Sequence, residues 1–325
     1  MSAPAPPRPA PRPAGPDPAP AGGGTRPPDG VPAGPDAALP RLEPAGRARL
    51  LGSALVAVAA LLLGLVLQAT VVSPLREARD QHVAYDSYRS DLANGTAPVG
   101  QTGADDRLLG AGTAVAILRI PDLGVDDVVL EGTTSKVMLS GPGHRRDTVL
   151  PGQAGASVVM GRQSTFGGPF RHLDELTVGS RIVTVTGQGT ATYRVTDVRH
   201  RGSPLPRVLE PGAGRLTLVS ASGTPFLPDD VVRVDATLAG TPFTTPVATL
   251  STQELTGPEL AFAGDPEAWP WLVLALGALV LVLVGRTFLA SWWGRWHAWL
   301  VCLPVLLLVA LLAGQETFVL LPNLL

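Results

Sequence analysis

Cysteine is nearly absent from this 325-residue chain, with Cys302 standing alone. A single thiol set inside an apolar run excludes an intrachain disulfide framework and any cysteine-built zinc site. Lysine is equally scarce, and the other basic residues are arginines without aromatic interleaving. At a formal net charge of −2, that pattern leaves no electrostatic footprint for a nucleic acid. No cofactor and no metal are expected.

What abounds is small and rigid: 37 glycines and 33 prolines, unevenly spread. Residues 1–46 are Pro, Ala and Gly with scattered charge, too poor in large apolar groups to offset the entropy of ordering. They are expected to form a disordered cytoplasmic tail. Residues 50–72 (LLGSALVAVAALLLGLVLQATVV) carry no charge and, at about 1.5 Å per residue, can cross a hydrocarbon core of about 30 Å. A cleaved signal peptide is the rival reading, but its apolar part would be shorter and nearer the amino terminus. Two further candidate spans are 269–289 (WPWLVLALGALVLVLVGRTFL) and 296–313 (WHAWLVCLPVLLLVALLA). Pro304 in the latter is tolerable where neighbouring helices support the backbone.

Arg41, Arg47 and Arg49 precede the first span, while Arg286 and Arg295 flank the turn between the other two. The positive-inside bias then puts tail and turn in the cytoplasm, residues 73–268 outside, and 314–325 as a short extracytoplasmic terminus of a multi-pass cell-membrane protein. The tryptophans cluster at the span ends, as amphipathic rings do at headgroup level. Gly277, Ala278 and Gly285 are candidates for close helix approach.

Residues 73–112 begin with PLREARDQHVAYDSYRSDL, whose apolar positions Leu75, Ala78, Val83, Tyr85 and Tyr88 make no clean face. An amphipathic or frayed juxtamembrane helix and a linker are the expectation. Over 113–240 the pattern turns to short β-rich runs, AVAILRI, DVVLEG, ASVVMG, RIVTVTG, ATYRVTDV, RLTLVSA and VVRVDATL, punctuated by Gly, Pro and Asp. Such runs argue an all-β sandwich or closed barrel. A linker, 241–268, leads to the second span.

The ordered blocks ILRIPDLGVDDVVLEGT, LSGPGHRRDTVLPGQAGASVVMG, STFGGPFRHLDELTVGSRI, YRVTDVRHRGSPLPRVLEP, LTLVSA and VVRVDATL resemble the catalytic domain of sortases. These are the membrane-anchored cysteine transpeptidases of Gram-positive bacteria, here of the actinobacterial class E and class D type. The resemblance implies a closed β-barrel and three chemical groups. A cysteine ends a T-L-x-T-C strand and attacks the Thr carbonyl of a sorting signal. A histidine after another strand moves protons, and an arginine on the last strand stabilises the oxyanion.

Aligned on that pattern, LTLVSA puts Ala221 at the nucleophile position, and a methyl group forms no thioacyl intermediate. VVMGRQSTF puts Arg162 at the histidine position with Gln163 beside it, and a guanidinium stays protonated. DDVVRVDATL puts Asp230 or Val231 at the arginine position, with Arg233 reaching the same face in one register only. Ser220 and Ser222 flank Ala221 but point to the other side of the strand. His144 in GPGHRRD corresponds to a histidine that is not the base in related sortases, so a structural hydrogen bond is its expected role. His172 and His200 read as solvated loop residues, and Asp174 and Glu175 as a turn pair.

The expectation is a degenerate sortase-like module that binds or scaffolds at the cell envelope, with Arg162, Gln163, Ser220, Ser222, Arg233 and His144 as groove candidates. Arg162 would meet either Asp229 or Asp230, closing the groove, or an external acidic group. Partners besides the lipid bilayer would be an active sortase, a sorting-signal substrate or another envelope protein. The alternatives are a hydrolase or transpeptidase using Ser220 or Ser222, and a purely structural envelope protein. The topology is open to test: Gly189→Cys should react with an impermeant thiol reagent in intact cells, and Gly294→Cys should not. Labelling at 294 would invert the hairpin.

Overall fold

The computed structural model describes residues 44–103, 105–247 and 250–325. The tail expected over 1–46 lies outside the described residues except for 44–46, which open the first helix.

Helix α1 (Pro44–Leu67) passes through a wide π turn (Gln68–Val72) into α2 (Ser73–Asn94). Pro74 accounts for the irregularity, because it has no N–H for the carbonyl of Thr70 and its ring crowds that group. Gly95, at φ 69°, supplies the left-handed residue that ends α2. The juxtamembrane segment is thus a full helix, and its contacts explain why its apolar residues made no clean face. Leu75 and Val83 are exposed, whereas Gln81 and Tyr88 are buried. Gln81 behaves as an extra strand edge: its Oε1 accepts from the Val128 N–H (2.7 Å), and its Nε2 donates to the carbonyls of Val128 (3.1 Å) and Ser140 (2.8 Å). Tyr88 packs on Ile117, Val128 and Leu130 and donates to the Val115 carbonyl at 2.7 Å.

Eight strands follow: β1 (Ala114–Ile120), β2 (Val125–Glu131), β3 (Gly143–His144), β4 (Gly155–Met160), β5 (Arg181–Thr186), β6 (Gly189–Arg199), β7 (Gly214–Thr224) and β8 (Leu227–Ala239). They close into a barrel in the order β1-β2-β3-β4-β7-β8-β6-β5. Closure leaves no edge unpaired, and of the two readings left open by the strand pattern the barrel is the one formed. Alternate residues fill the interior, among them Leu118, Ile120, Leu216, Leu218, Val232, Val234 and Ala236. β1 reads as an almost continuous apolar run because α2 covers its outer face as well.

Short 3₁₀ turns lead from β8 to α3 (Trp269–Trp293), and Gly294 joins α3 to α4 (Arg295–Leu320). These two helices and the helix beginning at Leu51 are long and apolar enough to cross a membrane. Leu279 and Leu283 of α3 meet Leu306 and Ala310 of α4, with Val56, Ala57 and Leu61 of α1 packed against them. The close helix approach is not at Gly277 or Gly285, where an added methyl group would meet nothing within 4 Å. It occurs at Gly64, whose Cβ would fall 2.7 Å from that of Ala310. α4 runs to Leu320, so most of the expected short terminus 314–325 is helix, and its remainder turns back into the barrel.

Gly64→Leu should therefore force α1 and α4 apart and destabilise the purified protein by about 1–3 kcal/mol, in line with overpacking elsewhere. Gly277→Leu should leave the thermal unfolding midpoint in detergent unchanged.

Candidate functional site

The chain crosses to form β4 and β7 as parallel neighbours, with Gly155 opposite Gly214 and Met160 opposite Val219. Parallel strands end at the same rim, so the residues that follow Met160 lie beside those that follow Val219. Gly161 ties the two ends, its N–H donating to the Val219 carbonyl (3.0 Å) and its carbonyl accepting from the Ser220 hydroxyl (3.0 Å). Arg162 and Ala221 are thereby brought to one groove.

β8 completes it. Ala221 pairs with Val231, Val219 with Arg233, and Ser222 with Asp230. Directly paired residues share a face, so Val231 and Arg233 lie on the side of Ala221, and Asp230 on the side of Ser222. Asp230 instead accepts from the N–H groups of Val231 (2.7 Å) and Arg201 (2.9 Å) and pairs with His200 at 3.3 Å. The pairing register thus resolves which side Arg233 takes.

The groove is filled by the chain itself. Ala221, Val219, Met138 and Met160 form a buried pocket around Leu324. The Gln163 N–H donates to the Leu324 carbonyl at 3.0 Å. Thr165 Oγ1 donates to the Leu325 carbonyl at 2.7 Å. Asn323 is fully buried, its amide nitrogen on the carbonyls of Thr133 (2.7 Å) and Leu260 (2.9 Å) and its N–H on Ala263 (2.9 Å).

Arg162 lies beneath this segment with no exposed surface. Its guanidinium donates to the carbonyls of Met138 (3.1 Å), Ser135 (3.2 Å) and Leu325 (3.3 Å) and to the hydroxyls of Ser135 (2.7 Å) and Thr165 (3.2 Å). It also stacks 5.3 Å from the Phe166 ring centroid. The closing ion pair with Asp229 or Asp230 is not formed, since the guanidinium's partners are oxygens of Met138, Ser135, Thr165 and Leu325 and Asp230 is taken by His200 and backbone. Burial pushes the guanidinium down to about 9, which leaves it charged at neutral pH.

The family model described as Sortase domain matches residues 118–226. The match falls within the barrel, which is similar to a sortase domain. Sortase D of Bacillus subtilis (strain 168) is 30% identical over 88 residues, covering 27% of this chain and 43% of that protein. The chain thus matches less than half the length of that curated relative. Among solved structures, sortase E from Streptomyces avermitilis shares 29% identity over 41% of this chain and 92% of its own, with a TM-score of 0.35. A sortase transpeptidase of Clostridium perfringens shares 21% over 50% and 99%, with a TM-score of 0.42.

The barrel separates the remaining groove candidates. Ser220 is fully buried with its hydroxyl committed to Gly161, and Ser222 is nearly so. Gln163 anchors the β7–β8 turn through the Gly223 carbonyl (3.0 Å), while its buried Oε1 has no partner. It borders a cavity of about 740 Å³ between the start of α2 and the loops holding Phe166, Arg171 and Phe226. Among the described residues no His, Cys, Asp or Glu cluster could hold a metal ion. His172 pairs with Glu175 at 2.8 Å on the surface. What the sequence motifs did not point to is Ser135, Thr165 and the segment 321–325, which contact Arg162 from distant positions and match no catalytic pattern.

His144 contacts nothing in the groove. It is fully buried, with Nδ1 2.8 Å from Glu131 Oε2 and Nε2 2.9 Å from the Val149 carbonyl. Both neighbours accept, so both ring nitrogens carry protons. Burial works against that charge, but Glu131, the Val149 carbonyl and Asp147 outweigh it and raise the imidazole above its ordinary value. A raised value means the stabilisation is complete below the unfolded-state value of about 6.5 and fades as pH rises through the folded-state one. His144→Ala, which strands Glu131, should cost about 3–5 kcal/mol. The loss of thermal stability in detergent should be largest in acid and shrink as the solution is made alkaline.

Proposed function

We propose that this chain is a catalytically silent member of the sortase-like group, its barrel acting as a binding or scaffolding module at the cell envelope. The observation that carries this reading is Leu324 seated on Ala221, at the strand end where the resemblance assigns the nucleophile. A methyl group there offers no electron pair for acyl transfer. Arg162, in the position assigned to the base, is protonated at neutral pH and has all its N–H groups engaged, so it takes up no proton. The one thiol, Cys302, is buried in α4 among apolar side chains, where it acts as a small hydrophobe.

The serine alternative is disfavoured by geometry. Ser220 donates to a backbone carbonyl, and among the described residues it has no imidazole or carboxylate hydrogen-bond partner to activate it. In this reading the tail and the α3–α4 turn are cytoplasmic, the barrel faces outward, and the partner is an active sortase, its substrate or another envelope protein.

Intact-mass analysis of the purified chain incubated with sorting-signal peptides should show no acyl adduct and no cleavage. An adduct lost on Ser220→Ala or Ser222→Ala would replace this reading with that of a serine-dependent enzyme.

A further inference from the structure

β2 meets β3 only at Leu130 and Glu131, and the backbone before them is covered by α2 instead, through the Gln81 amide on Val128. One helical turn before Gln81, on the same face, stands Glu77. It is 9% exposed, and among the described residues its carboxyl has no hydrogen-bond or ion-pair partner. The carboxyl lies against the loop after β4, where a methyl group on Gly167 would fall 2.5 Å from Oε2. It borders a cavity of about 210 Å³ whose other walls include Val125, Asp127, Arg171 and His172.

The charges around that cavity are negative or already engaged. On α2, Asp80 accepts from the Ser140 hydroxyl (2.8 Å) and lies 3.7 Å from Arg76. On β2, Asp127 has no partner among the described residues, and its neighbour Asp126 pairs with Arg119 at 3.0 Å. On the loop, Arg171 donates to the Gly167 carbonyl at 3.3 Å, and His172 is held by Glu175 at 2.8 Å. Residues 123–125 bring no charge. An ionised Glu77 would be a buried charge facing a second carboxylate, so the neutral acid is the form this site accepts.

We propose that α2 is a proton-governed clamp: neutral Glu77 lets the helix close on β2, and ionised Glu77 pushes it off, so that Gln81 releases Val128. Burial first, then Asp127 and Asp80, raises Glu77 from 4.5 to about 8, and burial with Asp126 raises Asp127 from 3.8 to about 6. Both folded-state values lie above the ordinary ones. The stabilisation is therefore complete in acid and fades as pH rises, with a first loss near 6 from Asp127 and the larger one near 8 from Glu77. Because α2 continues the first apolar helix, this proton sets how firmly that helix holds the barrel. The device is independent of whether the barrel is catalytic.

The test is hydrogen–deuterium exchange on the full chain in detergent from about pH 5 to about pH 9.5, wild type against Glu77→Gln, which keeps the shape of the neutral acid. Comparison at each pH cancels the intrinsic exchange rate. The Val128 amide, freed with Gln81, reports the clamp. The two proteins should match at the acid end. At the alkaline end, peptides covering β2 should be at least about tenfold less protected in wild type, since each pH unit above the folded-state value is a factor of about ten. Peptides covering β7 should not differ. Asp127→Asn should move the wild-type loss to more acid pH, because a like charge that raises Glu77 is gone, and a purely steric role for Glu77 would not respond in this way.

Equal protection of wild type and Glu77→Gln at every pH would overturn the clamp. So would a loss already complete at the acid end, which would mean a hydrated carboxyl, or an equal loss in β2 and β7, which would mean global unfolding. If Arg171 turned in to meet the ionised carboxylate, wild type would show no loss and Arg171→Gln would, and that outcome would replace the clamp with a compensated pair.

Discussion

Parallel pairing of Gly155–Met160 with Gly214–Val219 is the constraint on which the groove depends, because it delivers two strand ends, remote in sequence, to one rim. The hydrogen bonds of Gly161 to Val219 and Ser220 lock that rim, and side-chain alternation then sorts its residues. Leu218 and Val232 go into the barrel, while Val219, Ala221 and Val231 pack with Leu324. A slip of one residue between β7 and β8 would exchange these sets and place Ser220 and Ser222 in the groove.

The same rim explains how a permanent cation is held out of water. Arg162 takes three carbonyls and two hydroxyls, drawn from the loop after β2, the loop after β4 and the end of the chain described. Phe166, at φ 51°, lays its ring against the guanidinium and packs edge-on to Phe318 of α4. A left-handed aromatic residue costs about 1–3 kcal/mol and persists only where its surroundings hold it. Here the surroundings include the long apolar helix α4, so barrel groove and α4 are parts of one packed structure.

Two further attachments bind the helices to the barrel. α2 continues the first apolar helix and grips β1 and β2 through Gln81 and Tyr88. α4 closes on α1 at Gly64 and then feeds residues 321–325 into the groove. The groove thus shares its occupant with a helix apolar enough to span a membrane, and a shift of α4 relative to the barrel would pull directly on Leu324 and on the cover over Arg162.

The sequence by itself determined the local features. Apolar length identified three helices, period-2 runs bounded by Gly and Pro marked the strands, and the LTLVSA and VVMGRQ motifs located Ala221 and Arg162. These depend on neighbours in the chain, so they are legible there. The tertiary structure alone decided the partners. Gly64 rather than Gly277 makes the helix contact, because packing is set by which faces meet. Asp230 pairs with His200, because a β-ladder fixes which side of β8 each residue takes. α2 binds through a glutamine that no hydrophobic pattern reveals. Most of all, Leu324 covers Ala221 across a separation in sequence that no motif spans, and that contact exists only once the barrel has closed and α4 has returned the chain to its rim.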